Sequence, residues 1–290
     1  MHMALFSDAT KETVRFFADN RQVAVLGFAA WLLTMMFTLA LAAVFGFQPA
    51  ASMDYSTIKG DLLPGFLMYL ACVLVFSGAV GVFYSIATYR FIKTRDLRGS
   101  VMAWSKYLPK MIAAQLIKLG AVAVISLVLI APISLMGMLA ASPILSFILF
   151  IVAFPVVLVV LVWLGLKLLF VDYLICAQDR PLLDSFLESK RHSDWNEWTV
   201  IVNYLGFMFL LALALVPLML ASVMLGGFGQ YVYGAVASLL SPLNEILVAT
   251  IYDYVKGKKA GTGAPNAGLT TIWRHAIGRG ERPPPLQPTF

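Results

Sequence analysis

Charged residues are scarce in this 290-residue chain: Asp, Glu, Lys and Arg together make up 12% of it, about half the usual share of a globular domain. Hydrophobic residues make up 60%, too many to bury inside a soluble domain of this length, and the mean hydropathy is +0.85. This composition excludes a cytosolic enzyme, a nucleic-acid-binding module and a disordered chain. It predicts an all-α integral membrane protein.

Chemically reactive residues are few as well. The two cysteines, Cys72 and Cys176, have neither metal-ligand spacing nor the pattern of a disulfide framework. The three histidines, His2, His192 and His275, lie outside the apolar segments, and no pair has zinc-ligand spacing. The sequence contains no phosphate-binding glycine loop, nucleophile elbow or clustered carboxylates. We therefore expect no enzyme activity, catalytic residue, metal or cofactor, and no nucleic acid partner.

Long apolar runs dominate what is present. A membrane-crossing helix needs about 20 mostly apolar residues, because the hydrocarbon core is about 30 Å thick. Six segments meet this requirement: residues 23–47, 63–89, 111–139, 144–174, 199–225 and 229–254. Residues 140–143 and 226–229 are predicted to break the chain between closely spaced spans, since they contain Pro143 and three glycines respectively.

The loops between these spans differ sharply in Lys and Arg content. Eighteen of these residues lie before the first span, in the second and fourth loops and in the tail, whereas the other loops hold only Lys59. The positive-inside rule therefore predicts both termini in the cytoplasm, in a bacterial inner (cytoplasmic) membrane. The same positive charge predicts contact with membrane lipids, including anionic headgroups.

Three cytoplasmic segments are predicted to be interfacial amphipathic helices, at residues 6–20, 96–107 and 181–191. The first has an apolar side with Phe6, Val14 and Phe17, and the third has an apolar stripe of Leu182, Leu183, Phe186 and Leu187. The chain thus divides into an amphipathic N-terminal helix (1–22), a six-span membrane domain (23–255) and a largely disordered cytoplasmic tail (256–290). Two units of span, loop helix and span have the same orientation, which is consistent with a parallel internal repeat. An ordinary amphipathic loop explains the likeness equally well.

Four polar residues form a candidate intramembrane cluster: Lys118, Lys167, Asn244 and Glu245. At about 1.5 Å of rise per residue, the three charged ones share a depth in the inner leaflet. A lone charge there is costly, so we expect Glu245 to pair with a lysine, Lys118 being the nearer partner and Lys167 better placed to reach the headgroups. The pair is interpreted first as a tether between helices and second as a site for a substrate or proton.

Several stretches resemble a known family. They are residues 13–20, 108–110, 170–179, 185–189, 195–198 and 251–255. The layout over residues 5–258 resembles the YciC-type family of bacterial inner-membrane proteins, and more loosely the membrane domain of glycerophosphodiester phosphodiesterases. The resemblance implies six spans and residence in the inner membrane, and it brings no catalytic residues.

Two functions remain open at this point. The scarcity of polar groups in the spans favours a non-enzymatic component of envelope assembly or of a membrane complex, which implies a membrane-protein partner. The prolines and charges within the spans favour the alternative, a transporter or channel for a small or lipid-like substrate. A dry, closed core would favour the first function and a continuous polar cavity the second.

The predicted topology is tested by reporter fusions. A fusion at Tyr55, in the first loop between spans, should read as extracytoplasmic, because the preceding and following basic segments both stay in the cytoplasm. A fusion after Lys256 serves as the cytoplasmic control. A cytoplasmic signal at Tyr55 would contradict the topology.

Overall fold

The computed structural model describes residues 2–45, 63–139, 143–194 and 196–259. These residues form helices throughout. The helices are α1 (His2–Asp19), α2 (Val23–Phe45), α3 (Leu63–Thr94), α4 (Leu97–Met102), α5 (Trp104–Leu139), α6 (Pro143–Leu168), α7 (Val171–Gln178), α8 (Leu182–Asp194), α9 (Glu197–Met224), α10 (Gly226–Leu240) and α11 (Pro242–Lys259).

Six segments of these helices are long and apolar enough to cross a membrane. They are Val23–Phe45, Pro64–Thr94, Trp104–Val128, Pro155–Gln178, Glu197–Met224 and Phe228–Lys256. This finding confirms the predicted all-α fold with six spans. The first loop with Lys59, residues 140–142 of the predicted break and the tail from residue 260 lie outside the described residues.

The fourth and sixth spans are each interrupted. The fourth consists of α6 and α7, separated at Leu169 and Phe170, and the sixth of α10 and α11, separated at Ser241. Pro242 opens α11, where its missing N–H leaves no helical hydrogen bond unmade. The chain also breaks at Leu225 and Gly226, where Gly226 has φ +61°, a value that glycine adopts without strain.

Two serines of α8 satisfy the backbone groups that the break in the fourth span releases. The Ser189 hydroxyl donates to the Lys167 carbonyl (2.7 Å) and accepts from the Phe170 N–H (3.2 Å). The Ser193 hydroxyl donates to the Leu166 carbonyl (2.9 Å). All these groups are buried, where an unmade hydrogen bond is expensive. The break in the fourth span therefore depends on α8.

One end of the bundle, here called the loop end, gathers α1, α4, α8 and the C-terminal part of α11. Lys106, in the first turn of α5, bonds Asp179 after α7 (2.6 Å). The hydroxyl of Tyr252 on α11 donates to Glu188 on α8 (2.9 Å). The Lys106 contact holds the pKa of Asp179 below its usual range. Basic residues of the second and fourth loops, among them Lys106 and Arg180, thus lie at this end.

The residues with the least exposure also concentrate towards this end. Runs of buried side chains occur at residues 86–92 of α3, across α7, and at residues 243–255 of α11. Towards the other end, large apolar side chains such as Leu74, Leu127 and Met219 are more than half exposed. Exposed apolar side chains on membrane-crossing helices are suited to contact with lipid.

The predicted interfacial helices are only partly right in their faces. On α1 the buried positions are Ala9, Thr13 and Phe16, whereas Val14, predicted to lie on the apolar side, is half exposed. The reason is that α1 packs on α9 and α11 instead of standing alone. The predicted helix at 96–107 is divided at Ala103 into α4 and the first turn of α5.

Helix α8 turns a serine face towards the protein. Ser185, Ser189 and Ser193 are buried, whereas Leu183 and Leu187 of the predicted apolar stripe are 72% and 67% exposed. The other two stripe residues, Leu182 and Phe186, pack partly against the core. The backbone groups at the break in the fourth span need hydrogen-bond partners. Helix α8 therefore turns its serines towards the protein, although its apolar pattern predicts a different face.

The glycines of two spans differ in how closely other helices approach them. A Cβ atom at Gly234 of α10 would lie 2.6 Å from the Trp31 indole nitrogen on α2, so this glycine allows the two helices to approach. By contrast, nothing lies within 4 Å of a Cβ atom added at Gly78 or Gly81. Among the described residues, no other helix therefore packs closely against these two α3 glycines.

The capping role of α8 is tested by Ser189→Ala. The change should lower the free energy of unfolding by about 1–3 kcal/mol, because it strands a buried carbonyl and a buried N–H. Ser185→Ala is the matched control: Ser185 is equally buried on the same helix but bonds only the Pro181 carbonyl of its own first turn. Unfolding in detergent micelles measures both, and equal losses would refute the capping role.

Candidate functional site

A cavity of about 390 Å³ lies among α3, α5, α6, α7 and α11. We call it the polar cavity. Its polar lining consists of Ser85, Tyr89, Lys118, Asp172, Asn244 and Glu245. Its apolar lining consists of Val122, Leu161, Leu164, Leu168, Leu169 and Val248, with Gly165 between them. All these residues belong to the candidate membrane spans, so the cavity lies at membrane depth.

Three of the four predicted site residues line this cavity, namely Lys118, Asn244 and Glu245. Lys167 does not line it. The Lys167 ammonium instead donates to both Asp194 and Glu197, at the junction of α8 and α9, and lies 5.2 Å from the centre of the Trp163 ring. Lys167 therefore belongs to the loop-end structure.

The predicted ion pair of Glu245 with Lys118 or Lys167 is wrong. The Lys118 ammonium bonds Asp172 Oδ1 (2.7 Å), and Gln115 donates to the other oxygen, Oδ2 (3.0 Å). The break before α7 explains the difference, because it places Asp172 in the first turn of a new helix, facing α5.

Glu245 is held by neutral groups. The Tyr84 hydroxyl donates to its Oε2 (3.1 Å) and accepts from the Ser241 hydroxyl (3.0 Å). The neighbouring Asn244 carbonyl accepts from the Tyr204 hydroxyl (3.0 Å). Glu245 is only 8% exposed, and no Lys or Arg in the described part of the chain forms an ion pair with it.

Sequence reasoning missed Tyr84, Gln115 and Asp172. Tyr84 lies one residue before Ser85 in an apolar span, and nothing in its local pattern marks it as the partner of a residue 161 positions away. Asp172 carried a usable signal, since a lysine at the depth of Lys118 requires a carboxylate. The missing information was the helix break that directs Asp172 into the bundle.

The lining changes character along α5 and α6. Lys118 lies one turn nearer to the loop end than Val122, and Asp172 lies nearer to it than Leu164 and Leu161. On this side, the cavity is charged near the loop end and apolar farther away. Such a surface matches an amphiphile whose polar part faces the loop end.

A second depression, of about 410 Å³, lies on the surface of the loop end. Glu188 is its centre: it accepts from the Tyr252 hydroxyl, pairs with Arg180 (3.4 Å) and lies 3.5 Å from His192 Nε2. Arg191 is also part of its wall. The charged side chains that line the depression are thus held by contacts within the protein.

Metal binding finds no support in either place. Among the residues that the structure describes, no three His, Cys, Asp or Glu side chains are grouped so that they could hold a metal ion. Cys176 is buried and Cys72 lies apart on α3, both as free thiols.

Comparison of the chain with known protein families, with curated proteins and with solved structures finds no match. The geometry of the polar cavity is therefore the basis for the function proposed below.

The pairing of Lys118 with Asp172 predicts a large loss of stability when Lys118 is replaced and a small one when Glu245 is replaced. Lys118→Met should lower the free energy of unfolding by about 3 kcal/mol, because it leaves the Asp172 charge without a cation in low dielectric. Glu245→Gln should cost less than about 1 kcal/mol, because the amide oxygen still accepts from Tyr84 and no lysine is stranded.

The double variant Lys118→Met/Asp172→Leu serves as the control, and it should recover much of the loss. Unfolding in detergent micelles measures all three variants. A larger loss for Glu245→Gln than for Lys118→Met would contradict the pairing.

Proposed function

We propose that this chain is a non-enzymatic, multi-pass protein of the bacterial cytoplasmic membrane that binds a lipid-like molecule in the polar cavity. The observation that carries the proposal is the cavity itself: about 390 Å³ at membrane depth, lined by both charged and apolar side chains. Ligand sites in proteins typically occupy about 300–1,000 Å³ and combine apolar walls with a few placed polar groups.

The orientation follows from the charges. The loop end carries the basic segments, so the positive-inside rule favours a cytoplasmic location for it and for both termini. Lys118 and Asp172 then lie on the inner-leaflet side of the cavity, and anionic headgroups are the expected neighbours of the loop end. The resemblance to the YciC-type family supports the same membrane and the same absence of chemistry.

The cavity bears on the choice between a structural membrane component and a transporter or channel, the two functions that the sequence leaves open. A dry, closed bundle would have favoured a purely structural component, and the loop end alone has that character. The polar cavity favours binding of a lipid-like substrate, which includes its transport.

Assembly with a membrane-protein partner is the second candidate function. Leu183 and Leu187 on α8 and Trp198 on α9 are all more than two thirds exposed. Apolar side chains at a charged membrane end suit either the headgroup region or a partner helix.

The cavity is tested by filling it. Gly165 lines the cavity, and a Cβ atom there meets nothing within 4 Å, so Gly165→Trp should occupy the space without disturbing the helices. The purified variant should retain one lipid fewer per chain than the wild type after delipidation, as counted by native mass spectrometry.

Gly120→Trp is the matched control. Gly120 has the same open surroundings on α5 but is not part of the cavity lining. Equal lipid counts for the wild type and both variants would overturn the proposed function.

A further inference from the structure

We propose that the polar cavity selects an amphiphile carrying a primary ammonium group, and that Glu245 is the residue that binds this group. The inference rests on the proposed function, because it names the chemical class of ligand for the same cavity. It starts from the charges that line the cavity.

The charges of the cavity are unbalanced. Lys118 and Asp172 neutralise each other at 2.7 Å. Glu245 adds a second carboxylate, and its donor from the facing helix α3 is the neutral Tyr84 hydroxyl. With all three groups ionised, the cavity lining carries one net negative charge. A carboxylate that is removed from water needs a counter-charge, and the remaining basic group nearby, Lys167, is engaged by Asp194 and Glu197.

The acceptors in the lining match the donors of an ammonium group. An ammonium group has three N–H donors and no acceptor. Glu245, Asn244, Asp172 and Ser85 line the same cavity, and each has a side-chain oxygen that can accept a hydrogen bond. The Tyr84 hydroxyl bonds one carboxylate oxygen of Glu245, Oε2. A quaternary ammonium has the same charge but no N–H donor, so it satisfies the charge without donating a hydrogen bond to any of these oxygens.

The remaining walls select against a simple ion. Val122, Leu161 and Leu164 offer no ligand to a hydrated cation, whereas they can cover an alkyl chain. A ligand that pairs one positive charge with an apolar part uses both surfaces. Lipids with an aminoethyl phosphate headgroup carry such an ammonium group together with a phosphodiester anion, for which Lys118 is the cationic side chain in the lining.

The experiment compares lipids that differ only in the headgroup. The delipidated full-length protein is incubated with phosphatidylethanolamine, phosphatidylcholine or phosphatidylglycerol of identical acyl chains. Native mass spectrometry then measures how much of each lipid binds to the wild type but not to Gly165→Trp. We expect the wild type to prefer the ethanolamine lipid over the glycerol lipid by about tenfold or more, with choline between them.

Glu245→Gln should abolish this preference, because the amide keeps the shape and loses the charge. Asp253→Asn is the matched control: Asp253 lies on the same helix, also accepts from a tyrosine hydroxyl (Tyr173, 3.5 Å), and does not line the cavity. The headgroup comparison on the wild type needs no variant, so the inference stays testable if Glu245→Gln does not fold.

The outcomes separate the two proposals. Suppose first that Gly165→Trp removes a bound lipid, so that lipid binding stands. The ammonium site is then wrong if the wild type shows no headgroup preference, and it is also wrong if Glu245→Gln leaves the preference intact. A headgroup preference that survives Glu245→Gln is the result expected if Glu245 is protonated in the cavity. If no lipid is sensitive to Gly165→Trp, both proposals fail.

Discussion

The contact between α8 and the interrupted fourth span is the constraint on which the rest of the structure depends. A helix that stops at Leu168 and restarts at Val171 frees backbone groups that lipid cannot satisfy. Ser189 and Ser193 supply the missing hydrogen bonds from outside the span. Once the break is stabilised, α7 is free to point Asp172 at Lys118, and the cavity forms where α6 and α7 part. A loop helix thereby determines an arrangement of charges at membrane depth.

The lysines of the spans show how such charges are tolerated. Each is matched by carboxylates from another element: Lys118 by Asp172, and Lys167 by Asp194 and Glu197. The desolvation of an unpaired ion costs several kcal/mol, so these pairs are what allows the chain to keep lysines in apolar helices. Glu245 departs from this rule, and a departure of this kind is typical of a residue retained for function.

The sequence predicted the parts of this protein that depend on composition alone. Segment length and hydropathy were enough for six spans. The depth shared by Lys118, Lys167 and Glu245 brought two of them to one cavity, but Lys167 does not line it. The ion pairs could not be predicted, because the turn at Leu169 and Phe170 contains neither glycine nor proline and is held by serines about 20 residues away. Pro242 did mark its break. The buried face of α8 was predicted wrongly for the same reason, since its serines bond backbone groups that are distant in the sequence. The parallel repeat stays a prediction.

The two interrupted spans share a feature that bears on the charge of the cavity. Asp172 lies in the first turn of α7 and Glu245 in the first turn of α11, so both carboxylates sit at helix N-termini. The helix dipole stabilises an anion there by about 0.3–2 kcal/mol. This contribution is smaller than the several kcal/mol that burying a carboxylate costs. Asp172 makes up the difference with Lys118 and Gln115. For Glu245, the dipole and the Tyr84 hydroxyl leave part of the cost unmet, and the proposed ammonium ligand would supply the missing cation.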